Sequence, residues 1–70
     1  MKQIKSEMAG TVLEIKVKPG ETVAAGQEVA VLESMKMEVG VVSRLAGTVK
    51  AVLKGPGDFL NDGEALIELS

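Results

Sequence analysis

The chain has no cysteine, no histidine, no tryptophan and no tyrosine, and Phe59 is its single aromatic residue. Without cysteine there is no disulfide framework and no thiolate metal site, and without histidine the other common soft-metal ligand is missing too. The same absences remove the usual nucleophile–base pairs of hydrolases. Ser6, Ser34, Ser43, Ser70 and the threonines remain, none of them in a recognisable catalytic motif. A small nucleic-acid-binding barrel needs stacking aromatics and a basic groove, and one phenylalanine with a formal net charge of −2 supplies neither. No apolar run is long enough to cross a bilayer as a helix, and the polar residues 1–7 lack a signal-peptide core. The expectation is a cytoplasmic domain with no catalytic residues, no metal, and neither nucleic acid nor membrane as a partner.

What is present is mostly valine, leucine, isoleucine and alanine, with hydrophobic residues at 46% of 70. That is one small domain, residues 1–70, whose core is marginal because chains of this size bury only about 60% of their unfolded surface. The chain is also a repeat. Laying Gly10 on Gly47 superposes the first half on the second without a gap. Ser6 falls on Ser43, Ala9-Gly10-Thr11-Val12 on Ala46-Gly47-Thr48-Val49, Pro19-Gly20 on Pro56-Gly57, Gly26 on Gly63 and Leu32 on Leu69. Conservative pairs fill the intervals: Ile4 with Val41, Ile15 with Val52, Val23 with Leu60, Val29 with Leu66. Only Ser34, Met35, Lys36 and Met37 lie outside both copies.

No segment carries a helical stripe, and glycines recur too often to leave room for a long helix. Residues 2–6 alternate around Ile4 as an edge strand does. Residues 10–17 are rich in β-branched residues, but Val12 is out of phase with Leu13, Ile15 and Val17. A β-bulge between Val12 and Ile15, and between Val49 and Val52, would turn both members of each pair inward. Val17 becomes Lys54 in the second copy, so the strand end there should be less buried. Lys18-Pro19-Gly20-Glu21 and Gly55-Pro56-Gly57-Asp58 are turns, with proline presetting φ and glycine accepting a positive one. Residues 22–23 and 59–60 are very short strands, and residues 25–27 and 62–64 second turns. Residues 29–33 and 65–69 are strands. About eight short strands in two related halves close into a barrel or a two-sheet sandwich, with the halves packed about an approximate two-fold axis.

The junction breaks local rules. From Val29 to Val39 there is no Gly, Pro, Asn or Asp, yet the chain must reverse. Local chemistry favours a turn at Gly40. The repeat demands one at Met35-Lys36, because residues 29–33 end one copy and residues 38–42 open the other. A Met-Lys hairpin tip is unfavourable by propensity, and rules of this kind are broken at functional sites. Lys36 is therefore expected on a protruding turn. Met35 and Met37 read equally well as gap-filling packing or as a recognition surface, and Glu33 and Glu38 as solvated carboxylates.

Glu33-Ser34-Met35-Lys36-Met37-Glu38 resembles the signature of biotinyl domains, the biotin carboxyl carrier family. Gly10-x-Val12, Pro19-Gly20-Glu21-Thr22-Val23, Gly26-Gln27-x-Val29 and Gly47-Thr48-Val49 stand at that family's spacing from the lysine, so the resemblance covers nearly the whole chain. It implies an all-β flattened barrel of two four-stranded antiparallel sheets. It further implies biotin joined to Lys36 as an amide by a biotin protein ligase, with Met35 and Met37 as flanking recognition residues. The domain would then be a carrier, not an enzyme, moving CO2 between a biotin carboxylase and a carboxyltransferase. Glu7, Ala9 and Arg44 stand where the family often has proline, which bears on loop rigidity, and Gly40 is expected to loosen its strand. The gapless repeat leaves no room for the extra thumb loop of some members. The alternative is a lipoyl-type swinging-arm domain, which shares the fold and a hairpin lysine. Its lysine usually follows Asp, and Met35 and Met37 argue against it. A purely structural interaction module would leave the junction lysine unexplained.

Overall fold

The structure, a computed structural model, describes residues 2–70. Eight strands follow in order: β1 (Lys2–Lys5), β2 (Gly10–Ile15), β3 (Thr22–Val23), β4 (Glu28–Ser34), β5 (Met37–Val42), β6 (Gly47–Val52), β7 (Phe59–Leu60) and β8 (Ala65–Leu69). They form two four-stranded antiparallel sheets with orders β1-β8-β6-β3 and β5-β4-β2-β7. Replacing each strand by its repeat counterpart turns one order into the other, so the two-fold axis implied by the sequence is a property of the fold.

The core obeys the same symmetry. Ile4 and Val41, Val12 and Val49, Val23 and Leu60, Val29 and Leu66, Ala30 and Ile67, and Leu32 and Leu69 are all buried. Val17 is the only buried apolar residue among those described whose counterpart, Lys54, is not buried with it. The hydrogen bonds repeat too. Val12 N–H donates to Asp58 O and Val49 N–H to Glu21 O, both at 2.8 Å, and each copy thus ties its long strand to the other copy's proline turn. Ser6 and Ser43 are buried hydroxyls, each donating to the carbonyl two residues on, Met8 or Leu45, and accepting that residue's N–H at 3.2 Å. These local loops satisfy polar groups that would otherwise cost free energy in the core.

The bulges lie where the phase required them. The β2–β4 register slips between Val12 and Glu14, and the β6–β8 register between Val49 and Ala51. Val12 and Val49 are buried, while Ile15 and Val52 pack against the core half-buried. A second symmetric pair of bulges was not visible in the periodicity. The registers slip again between Glu28 and Ala30 against β5, and between Ile4 and Lys5 against β1's partner β8. The skipped residues, Val29 and Leu66, turn inward beside Ala30 and Ile67, which is why two consecutive side chains are buried on each strand.

Gly40 does not loosen β5. Ladder pairs run unbroken from Ser34↔Met37 to Ala30↔Val41. The missing side chain is filled by Glu28: a Cβ on Gly40 would lie 2.9 Å from the Glu28 Cδ. Glu28 also pairs with Lys16, and this hydrogen bond and charge hold the Lys16 amine above the usual lysine range. Gly10 is more tightly constrained, since a Cβ there would lie 2.6 Å from the Glu33 carbonyl oxygen, a backbone atom. At the counterpart, Gly47, the nearest atom would be 3.3 Å away. Gly10→Ala should cost about 1–3 kcal/mol and Gly47→Ala clearly less, as read by urea denaturation. Equal costs would mean the β2–β4 approach is not tight.

Glu64 accepts the Asn61 N–H at 2.9 Å and faces Lys54 at 3.2 Å, and these contacts, the backbone one first, hold its carboxyl below the usual range. A depressed carboxyl contributes stability above its unfolded pKa and loses it as pH falls through the folded one. Lys54→Ala should leave part of the depression in a carboxyl-detected NMR titration, since the turn N–H, the largest single cause, remains. A return to the ordinary value would reverse that order.

Candidate functional site

Strands β4 and β5 pair down to Ser34↔Met37, leaving only Met35 and Lys36 at the tip. Their φ angles are +53° and +64°, the only positive values on non-glycine residues among those described. Two consecutive left-handed residues in a two-residue loop are the type I′ hairpin, whose twist matches that of the strands. Asn-Gly is the usual solution. Here both positions carry Cβ atoms, at a cost on the order of 1–2 kcal/mol each. The turn thus lies at Met35-Lys36, as the repeat requires, and not at Gly40.

Lys36 is exposed and, among the described residues, makes no hydrogen bond or ion pair. Met35 is 92% exposed and Met37 66%. Neither fills a gap in the core; both side chains lie open to solvent. Glu33 and Glu38 face each other across the ladder, both exposed. Like charges directly opposite are unfavourable in a sheet, so the hairpin stem is a second place where stability is given up. Below it, Gly10 lets β2 approach the Glu33 carbonyl. The amine therefore stands on a two-strand arm anchored in the core through buried Leu32 and Val41.

Among the described residues the rest of the repeat has no such feature. The counterpart of the hairpin is the meeting of the chain ends, where Lys2 pairs with Leu69; Met1 lies outside the described residues. The remaining lysines stand within the copies, and Lys2, Lys16 and Lys54 are engaged with Ala46 O, Glu28 and Glu64. Sequence reasoning missed the contact of Glu28 with Gly40 and Lys16, because it joins three residues with no pattern in the chain.

Residues 2–69 match the family model described as "Biotin-requiring enzyme". The chain is 52% identical over 64 residues to the biotin/lipoyl attachment protein of Bacillus subtilis (strain 168), covering 91% of this chain and 88% of that one. It is 44% identical over 66 residues to the mitochondrial propionyl-CoA carboxylase alpha chain of Homo sapiens, covering 94% of this chain but 9% of the carboxylase. The crystal structure of the Kluyveromyces lactis urea carboxylase contains the same fold, with a TM-score of 0.89 and 28% identity over 99% of this chain and 6% of that one. The fold, the hairpin and the match over residues 2–69 agree: the chain belongs to the biotin/lipoyl attachment family, as a carrier domain of the kind found in biotin-dependent carboxylases.

Proposed function

We propose that Lys36 is the residue that carries biotin, and that the domain takes CO2 from a biotin carboxylase to a carboxyltransferase. The observation that carries this reading is an exposed amine, unpaired among the described residues, at the tip of a strained turn and flanked by two exposed methionines. A biotin protein ligase must present an activated acyl donor, since a lysine amine is protonated at neutral pH and is a weak nucleophile. After losing a proton, the Lys36 Nζ attacks the acyl carbon of biotinyl adenylate; the amide C–N bond forms and AMP leaves with the C–O bonding pair. The hairpin holds the amine clear of the sheets, and the twisted ladder fixes its direction. Met35 and Met37 offer apolar, adaptable surface to the ligase and to the carboxylase. When bound, biotin supplies a ring nitrogen that holds CO2. Tethering keeps that group at high local concentration at each partner site.

The test is ligase treatment of the parent and of Lys36→Arg, followed by peptide mass analysis. Arginine keeps the charge, but its guanidinium stays protonated and does not form the amide. The parent should gain one biotinyl group, on Lys36, and the variant none, with stability within about 0.5 kcal/mol because the side chain is exposed. Biotin on another lysine, or undiminished labelling of the variant, would overturn the assignment.

A further inference from the structure

One face of the molecule departs from the two-fold symmetry. Strands β1 and β5 are each paired on one side only, and a groove of about 670 Å³ opens between them, within the roughly 300–1,000 Å³ typical of ligand sites. Its walls include Ile4, Met8, Leu32, Val39, Val41 and Leu45. Leu32 is part of the wall and its counterpart Leu69 is not, so the groove leans toward the half that bears Lys36. The repeat explains the asymmetry. The counterpart of Val39 is Lys2, whose long side chain runs to the Ala46 carbonyl at 3.1 Å. Where one half carries an extended lysine, the other has a short valine. Met37, Val39 and Val41 alternate onto one face of β5, so an apolar strip leads from the hairpin into the groove.

We propose that this groove is a docking subsite for the biotinyl group attached to Lys36 of the same chain. The proposal rests on the preceding reading of Lys36. Val39 is three residues from Lys36, about 10 Å along a strand. The arm comprises the lysine methylenes, an amide and the valeryl methylenes, and extended it is longer than that. The two parts of the ring system match the two parts of the groove. The thioether side is apolar, as are Val39, Val41, Met8 and Leu45. The ureido edge has two N–H donors and a carbonyl, the same groups as a strand edge, and the free sides of β1 and β5 present backbone partners to it. Docking would withhold the ring from solvent until a partner offers a better site, lowering its apparent availability to the undocked fraction.

Methyl NMR of the unmodified and biotinylated protein tests this, with peptide mass analysis confirming attachment to Lys36. Biotinylation should shift the methyl signals of Met8, Val39, Val41 and Leu45 and give contacts from them to the ring protons. Val39→Lys places a long side chain where the other half has Lys2. It should take up biotin to the same mass, lose the shifts at Met8, Val41 and Leu45, and be captured by an avidin-type probe several-fold faster. Leu45→Glu, at a half-exposed position remote from the hairpin, should act the same way and serves if Val39→Lys does not fold. Shifts confined to residues 34–37, or unchanged capture rates in both variants, would overturn the docking. Absence of biotin from Lys36 in the parent would instead overturn the attachment reading on which it rests.

Discussion

The double substitution Met35→Lys with Lys36→Met leaves the fold intact and lowers ligase-dependent biotinylation about a hundredfold. Composition, charge and exposure are unchanged, and both positions already have left-handed φ angles of +53° and +64°. Neither methionine nor lysine is β-branched, so exchanging them moves no strain into or out of the turn. Only the place of the amine changes. Its Cα moves by one residue, about 3.8 Å, and its side chain leaves the turn in another direction. Acyl transfer needs the nucleophile within roughly 3–3.5 Å of the acyl carbon in an aligned approach, and misplacement by about 1 Å can cost a hundredfold. A flexible lysine recovers some reach but not the approach direction set by the ladder below. The measurement is the initial rate of biotin incorporation by mass, beside a thermal melt showing the same transition. Labelling within a few-fold of the parent would show that an accessible amine suffices and that the turn geometry is incidental.

Much of this arrangement is legible in the chain because the molecule is built twice. Gly10 on Gly47 and Ser6 on Ser43 fix which strands correspond, and the exchange of sheet orders follows. Val12 out of phase with Ile15 called for a bulge, since apolar residues three apart could not otherwise share a face of a strand. The turn at Met35-Lys36 was legible only through the repeat, against the local attraction of Gly40. What could not be read depends on side chains reaching across strands. The slip that buries Val29 beside Ala30 looks in sequence like an ordinary apolar run, and so does its twin at Leu66 and Ile67. Glu28 over Gly40 and Lys2 on Ala46 O join residues far apart in the chain. The symmetry that made the fold readable also hid the groove, because its asymmetry arises from one non-conservative pair, Lys2 with Val39.

Replacing the turn with the residues its geometry prefers, Met35→Asn with Lys36→Gly, raises the melting temperature by roughly 5–15 °C. Type I′ turns need positive φ at both central positions, which asparagine tolerates and glycine adopts freely. Glycine at 36 removes one left-handed Cβ clash, worth on the order of 1–2 kcal/mol, and asparagine at 35, which keeps its Cβ but bonds locally to the backbone, relieves about half of the other. Glycine's greater freedom in the unfolded chain returns about 0.5–1 kcal/mol of that. A net gain of about 1–2 kcal/mol remains, and each kcal/mol moves the midpoint of a 60–100-residue domain by about 4–8 °C. Among the described residues no other contact offsets it, since Met35 is 92% exposed and Lys36 has no partner there. Lys36→Arg serves as the control and should melt with the parent, because it keeps a Cβ in the same conformation. A gain confined to the Asn-Gly variant would locate the strain in the turn backbone, whereas an unchanged midpoint would show that Met35 and Lys36 occupy the left-handed region without cost. The position that most limits the hairpin's stability would then be the one proposed to accept biotin, and on that reading the acceptor amine, more than the requirement to fold, determines the residues at the tip.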